Sequence, residues 1–249
     1  MTRRLATIWR HPIKSHGRES IGHCDVSAGR TLPWDRVWAV AHDNSTADGS
    51  EWVPCANFAR GAKAPSLMAI EARTNEAEGT LTLTHPDLGE STIDPDVEAD
   101  SDALVHWILP VSPRDRALPA RIVRARAQGM TDTPYPSISL IGTASLAALS
   151  ERVGTMLDPR RFRANFWIEG LAPFEEFDWI GRDIKIGAVP FRVDERITRC
   201  LATAANPMTG LRDADTLGAL ETNWGHRDFG VYLTALGDGR VSVGDSLDL

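Results

Sequence analysis

The sequence predicts a mostly β fold of the α+β kind. A small N-terminal β-barrel or sheet subdomain (residues 1–105) is followed by a second β-barrel domain with a few helices (residues 106–249). Three observations predict this. Short β-type runs recur along the chain, separated by glycine and Asp-Gly turn signals. A single stretch, Thr143–Val153, carries a full helical signature. Strands and helices do not alternate regularly, which excludes a βαβ array.

In chain order, the first strand-like runs are Leu5–Arg10, Arg36–His42, Leu67–Ala72 and Thr80–Thr84. The last alternates as TLTLT, the period of a half-buried strand. Ser91–Asp102 (STIDPDVEADSD) is acidic and polar and reads as a loop entering a short helix at Ala103–Ile108. Pro110, Pro113 and Pro119 then mark the crossover between the two domains. In the Thr143–Val153 helix, Thr143 or Ser145 is the N-cap candidate, Leu146, Leu149 and Val153 share a face, and Gly154 ends it. Strands resume at Ala164–Glu169, Asp183–Ile186, Phe191–Asp194, Ile197–Leu201, Gly230–Leu236 and Arg240–Val243. Gly237-Asp238-Gly239 is a hairpin signal between the last two. Trp9, Trp38 and Trp167 fall in strand patterns and read as core.

The chain's 249 residues are 42% apolar and 24% charged. That is ordinary for a globular protein and excludes disordered, collagenous and coiled-coil classes. The net charge of -7, from 27 basic and 34 acidic residues, excludes a broad nucleic-acid surface but not a local basic pocket. Only Lys14, Lys63 and Lys185 are lysines; the other basic residues are arginines. No run approaches the roughly 20 apolar residues of a membrane span. The opening MTRRLATIWRHPIKS has no apolar signal region, and its expected location is the reducing cytoplasm.

Cys24, Cys55 and Cys200 are too few and too scattered for a disulfide framework, and their number is odd. Their spacing fits neither a structural zinc site nor an iron–sulfur cluster. Cys24 and Cys55 sit in no motif. Cys200 follows Arg196, Thr198 and Arg199. On a strand, Arg196, Thr198 and Cys200 would share one face and Arg199 would point away. Cationic neighbours favour a thiolate, the form that attacks or binds metals. The alternative for Cys200 is a buried thiol acting as a small hydrophobe. No phosphate-binding glycine loop, nucleophile elbow or H-E-x-x-H motif is present.

The stretch RITRCLATAANPMTG, which holds Cys200, resembles the R-C-x-x-T-x-x-x-P-x-T-G signature of MOSC domains. His11-Pro12-Ile13-Lys14-Ser15 resembles the Y-P-[IV]-K-S that opens the family's N-terminal β-barrel domain. Asp35-Arg36-Val37-Trp38 resembles its D-R-x-[WF] strand, and Arg161–Asn165 resembles R-F-R-P-N, with Ala164 in place of the proline. His226–Tyr232 and Val243-Gly244-Asp245 also fit. The matches run in order from residue 11 to 245.

This resemblance implies a molybdenum-cofactor protein similar to the amidoxime-reducing component. It implies Cys200 as the catalytic molybdenum ligand, consistent with the affinity of soft thiolates for such metals. By matching position it implies that Lys14, Ser15, Arg36, Arg163 and Asn165 hold the molybdopterin. Asp132, in the loop Thr131–Leu140, is the candidate for a cofactor-contacting aspartate. The implied activity is reduction of small N-hydroxylated compounds, such as amidoximes, hydroxylamines and N-hydroxylated bases. Electrons would come from a separate reductase or a ferredoxin-like partner, with no nucleic acid or membrane involved. A sulfur carrier holding a persulfide on Cys200 is the alternative, and a scaffold without chemistry is a third reading. Family-level pyridoxal-phosphate chemistry belongs to a domain for which this length leaves no room. Asp213, Asp215 and Glu221 read either as proton-transfer acids or as a solvated face. Trp224, His226, Arg227 and Asp228 read either as packing or as a substrate mouth.

Overall fold

The computed structural model describes residues 2–249. In chain order the elements are β1 (Arg4–Arg10), β2 (Glu19–Ile21), β3 (His23–Val26), β4 (Trp38–His42), β5 (Glu71–Asn75), β6 (Thr80–His85), β7 (Gly89–Ile93), α1 (Glu98–Ile108), β8 (Pro119–Arg124), β9 (Ile138–Gly142), α2 (Thr143–Val153), β10 (Phe166–Glu169), β11 (Asp183–Ile186), β12 (Val189–Thr198), α3 (Thr216–Trp224), β13 (Asp228–Ala235), β14 (Gly239–Ser242) and β15 (Leu247–Asp248). Among the described residues the fold is mostly β with three α-helices, as the sequence predicts. None of these helices is long and apolar enough to cross a membrane.

Eight strands form one sheet in the order β15-β11-β12-β13-β9-β10-β1-β2. Its pairings are antiparallel except β9 against β10. The N-terminal strand β1 lies in this sheet, pairing Leu5 with Ile168 and Ile8 with Phe166. Leu5, Ile8, Leu140, Phe166, Phe191 and Leu233 face one another in its core. Each is at most 1% exposed, so burial of their side chains contributes roughly 1.5–3 kcal/mol apiece to folding.

β2 also joins this sheet and β3 pairs with β14, while the rest of the N-terminal half forms two small sheets, β4 with β8 and the meander β5-β6-β7, with α1 packed on them. The TLTLT alternation is realised in β6, where Leu81 and Leu83 are fully buried and Thr82 is paired outward with Thr92. Their core also holds Ile13, Trp38, Ile70, Leu104 and Ile108.

The structure corrects several local expectations. Residues 67–72 are not one strand. Pro65 opens a 3₁₀ turn over Pro65–Ala69, and Leu67, Met68 and Ala69 are buried in succession, which a period-two strand cannot do. The acidic 91–102 stretch contains the end of β7 and the first turn of α1, where Glu98 and Asp100 favour the helix N-terminus. α2 has the predicted bounds and a left-handed Gly154 cap, but its N-cap is Gly142 without a side-chain bond. Ser145 instead donates to Glu176. Ala164 precedes the strand, because Arg163 turns left-handed and β10 starts at Phe166. The two predicted runs 191–194 and 197–201 are one irregular strand, β12, which stops at Thr198. The Gly237–Gly239 turn does not make a hairpin: β14 leaves the large sheet and pairs with β3.

The seam between the large sheet and the small sheets positions the site. Ile13 and Trp38 form a parallel bridge, and Lys14 N donates to Trp38 O at 2.7 Å. Arg36 N donates to His11 O and Met130 N to Arg36 O, each at 2.7 Å. On the other side, Gly210 lies so close to the 65–69 turn that a Cβ would sit 2.5 Å from Ser66 Cα, and its φ of +71° is left-handed. Only glycine meets both conditions at this turn. Arg18 adds a bond from its guanidinium to Pro207 O at 2.7 Å. Together these contacts hold the segment after Cys200 against the N-terminal half.

Candidate functional site

A cleft opens along this seam. Its cavity volume is about 150 Å³ and it is open to solvent. Lys14, Ser15, Arg36, Asp132, Arg163 and Cys200 all line it. They come from five separate loops, so folding brings together what the sequence disperses over 186 positions (14 to 200). Asn165 is the one predicted site residue that does not line the cleft. Its carboxamide oxygen accepts from Ser139 N at 3.1 Å and Ser139 Oγ at 2.9 Å, and its nitrogen donates to Trp9 O at 3.1 Å. Asn165 therefore ties β1, β9 and β10 together behind Arg36.

Six cations line the cleft (Lys14, Arg36, Arg60, Arg161, Arg163 and Arg199) against one carboxylate, Asp132. This is the reverse of the chain's overall balance of -7. Most of these heads are fixed by backbone carbonyls, which orient a guanidinium without neutralising it. Arg163 donates to Gly17 O at 2.9 Å and Ile13 O at 3.3 Å. Arg199 donates to Phe229 O at 2.7 Å and Phe162 O at 2.8 Å, and its Nη2 is buried with no partner. Burial pushes Arg163 down to about 9, assisted by repulsion from Arg36 and Arg18. Burial likewise pushes Arg199 down to about 10, partly offset by Tyr232, Cys200 and Asp132. Both remain charged at neutral pH without a carboxylate of their own, so the wall favours an anion.

Backbone strain concentrates at the same place. Among the described residues, five non-glycine residues have left-handed φ, and three of them (Ser15, Arg36 and Arg163) line the cleft. Each such residue costs of order 1 kcal/mol or more, and persists because the surrounding bonds over-determine it.

Beneath Arg36 lies a buried polar cluster. Asp35 is fully buried, pairs with Arg36, and accepts from His11 N at 2.8 Å. Burial alone would raise its carboxyl. Arg36 and the His11 bonds outweigh burial and hold it far below the usual carboxylate range. At Asp132 burial again acts upward, and Lys14, Arg36 and Arg199 outweigh it to keep the carboxyl low. Lys14 also donates to Met130 O at 2.8 Å, which locks its ammonium at the cleft floor.

His16 gives this cluster a pH signature. It is fully buried, its Nδ1–H donates to Lys14 O at 2.7 Å, and its Nε2 has no partner. Burial pushes its pKa down to about 4. The folded state therefore resists protonation that the unfolded chain accepts near pH 6.5. Stability is full above that value and falls as pH drops toward 4, by about 3 kcal/mol for this one group. His16→Asn keeps a donor toward the Lys14 carbonyl and removes the titration. Denaturant unfolding at pH 7.5 and 4.5 is expected to show a clearly smaller acid loss in the variant. An equal loss in both would contradict this assignment.

Cys200 follows the end of β12 in extended conformation (φ -114°) and precedes a 3₁₀ turn, with its side chain exposed at the cleft. Because the strand has ended, the alternation expected for residues 196–200 does not reach it, and Arg199 lines the cleft as well instead of pointing away. Arg199, Tyr232, Arg60, Arg161 and Cys55 also line the cleft and were not singled out from the sequence as site residues. Arg161 stood inside the R-F-R-A-N stretch, so a signal for it existed. Cys55 carried none: its sulfur accepts from Arg60 Nη1 at 3.0 Å, a contact made by the loop's closure. Cys24 is buried on β3, as expected of a structural thiol.

The acidic trio is structural. Asp213 binds Arg161, Asp215 caps α3 through Gly218 N, and Glu221 pairs with Arg227. Trp224 and His226 stack on Phe174, away from the cleft.

Two family models match the chain. Residues 2–116 match the family model described as MOSC N-terminal beta barrel domain, and residues 130–248 match the MOSC domain. A molybdenum cofactor sulfurase from Anopheles gambiae is 28% identical, with 94% of this chain covered but 34% of that protein. The chain thus spans about a third of that relative's length. Mitochondrial amidoxime-reducing component 1 from Mus musculus is 27% identical, with 98% of this chain and 82% of that protein covered. The human form is 24% identical over the same shares. Among solved structures, the YUAD protein from Bacillus subtilis aligns over 99% of this chain and 94% of its own at 12% identity, with a TM-score of 0.47. With the two matched domains together accounting for nearly all of its length, the chain belongs to the MOSC family, a MOSC N-terminal beta barrel domain followed by a MOSC domain.

Proposed function

We propose that the cleft binds the molybdenum cofactor and that the protein reduces small N-hydroxylated compounds, with electrons from a separate reductase or ferredoxin-like donor. The observation that carries this reading is an exposed thiol, Cys200, on a cleft where six cations face one carboxylate. The residues present fit an anionic, metal-bearing group. Arg163 and Arg199 lack carboxylate partners, Arg199 Nη2 is orphaned, and a thiol is a soft metal ligand. In this reading Lys14, Arg36, Arg163 and Arg199 hold the pterin phosphate, Ser15 offers its hydroxyl and amide, and Cys200 ligates the metal. When bound, the cofactor supplies the two-electron chemistry. The protein's part is to orient the substrate oxygen and exclude water, and Asp132, kept ionised by Lys14, is the candidate carboxylate for contacting the cofactor. Similarity to mitochondrial amidoxime-reducing component 1 along 98% of this chain, at 27% identity, supports the reductive reading.

A second reading follows from the exposed thiol itself: Cys200 carries a persulfide and hands sulfur on. Mass spectrometry of gently purified protein separates the two. One added sulfur on Cys200 without bound molybdenum favours the carrier.

Protein from a cofactor-competent host is expected to hold about one molybdenum and one pterin per chain and to reduce amidoximes when given an electron donor. Lys14→Met should cut cofactor content roughly ten-fold or more, the worth of a charge-assisted contact. Unchanged content in Lys14→Met would remove Lys14 from the binding set.

A further inference from the structure

A second cavity lies behind the 55–64 loop, sharing Arg60 with the cleft. Its walls include Arg60, Lys63 and Arg116, and no carboxylate lines it. Arg116 has only a loose ion pair, 3.6 Å from Asp115, at the exposed rim. The lining also includes Phe58 and Ala64, both buried, with Pro113 and Pro119. His42 contributes a ring whose Nε2 meets Ala56 O at 2.7 Å. A carbonyl only accepts, so Nε2 carries the hydrogen. Nδ1 is then left buried without a partner.

Arg60 is the cation of the first cleft whose head meets no oxygen. Lys14, Arg36, Arg161, Arg163 and Arg199 are bound to carbonyl or carboxylate oxygens. The one hydrogen bond of the Arg60 guanidinium goes to a thiol sulfur, Cys55 Sγ, at 3.0 Å. Sulfur is a weak acceptor, so a carboxylate would displace it.

We propose that this cavity is a binding site for a small organic acid, an apolar single ring or short chain bearing one carboxylate. The charge follows from the cations and the absence of acid among the lining residues. The apolar body follows from Phe58, Ala64 and the prolines. The size follows from a volume of about 140 Å³, close to the roughly 150 Å³ of an engineered cavity known to take one benzene ring. The carboxylate meets Arg60 and Lys63, and the ring lies against Phe58. Occupancy draws Arg60 from Cys55, so the site reports to the cleft through that thiol.

The test needs no cofactor, so its failure is separate from failure of the proposed reductase function. The full chain is titrated with benzoate, with benzyl alcohol as the neutral analogue and inorganic phosphate as the anion without a ring, by NMR or calorimetry. Expected are saturable benzoate binding, at least about ten-fold weaker binding of both controls, and about ten-fold loss in Arg60→Gln and in Lys63→Gln. Benzoate should also change the rate of Cys55 alkylation, read in a Cys200→Ser background. Arg60 makes no side-chain bond besides that to Cys55, so Arg60→Gln should unfold at the same temperature as the parent. Benzoate binding no better than benzyl alcohol, or unaffected by Arg60→Gln in a folded variant, overturns the proposal. Phosphate binding as well as benzoate overturns the organic-acid assignment.

Discussion

Cys200→Ser is expected to lower N-reductive turnover by roughly three orders of magnitude or more, the scale seen when a group that holds the reaction centre is removed. The side chain is exposed, and a change of sulfur to oxygen there should move stability by no more than about 0.5 kcal/mol. The loss would therefore be chemical and not structural. Cys24 provides the contrast. It is buried on β3, and burial pushes its thiol up to about 12, so it stays protonated and unreactive at neutral pH. Cys24→Ser should leave turnover per folded molecule intact and cost stability instead, because a hydroxyl would be buried there. Steady-state kinetics beside thermal unfolding separate the two effects. Full activity in Cys200→Ser would refute the assigned role.

The second large effect is expected at Asp35. It is 0% exposed, and its carboxylate answers Arg36 and the His11 amide beneath the cleft floor. Asp35→Asn keeps the shape but leaves the Arg36 charge without its partner in a buried setting. Removing one member of a buried pair typically costs about 3–5 kcal/mol, because the remaining charge is desolvated and uncompensated. That is a large fraction of a total stability of roughly 5–15 kcal/mol. Chemical denaturation should show the loss. The wild-type carboxyl is held far below its ordinary value, so this contribution is present above about pH 4 and survives well into the acid range. A loss under about 1 kcal/mol would mean that Arg36 is compensated by solvent or by Asp132.

How much of this was legible in the sequence depended on whether the information was local. Helix α2 was legible to its last residue because its apolar face and Gly154 lie within twelve positions, 143 to 154. β6 was legible because its alternation is intrinsic to the run. The site motifs were legible as short segments. Their left-handed residues, Ser15, Arg36 and Arg163, carried no sign of strain, since none is a glycine. Strand partners were not legible. β1 crosses to the large sheet and β14 leaves it for β3, and both choices are set by distant core packing. Arg199 was misdirected because strand alternation was carried two residues past the end of β12. Cys55 and Arg60 had no local pattern at all. Only the closure of the 55–64 loop onto the segment after Cys200, where Arg212 donates to Ala62 O at 2.8 Å, brings them to the cleft.

The central claim is that Cys200 of this cleft ligates molybdenum. X-ray absorption at the molybdenum edge tests it most directly, on protein from a cofactor-competent host beside its Cys200→Ser variant. Bound molybdenum is expected in the parent and, in the variant, either one fewer sulfur neighbour at the metal or loss of the metal. An identical sulfur shell in both proteins, or a parent that never acquires molybdenum in such a host, would contradict it.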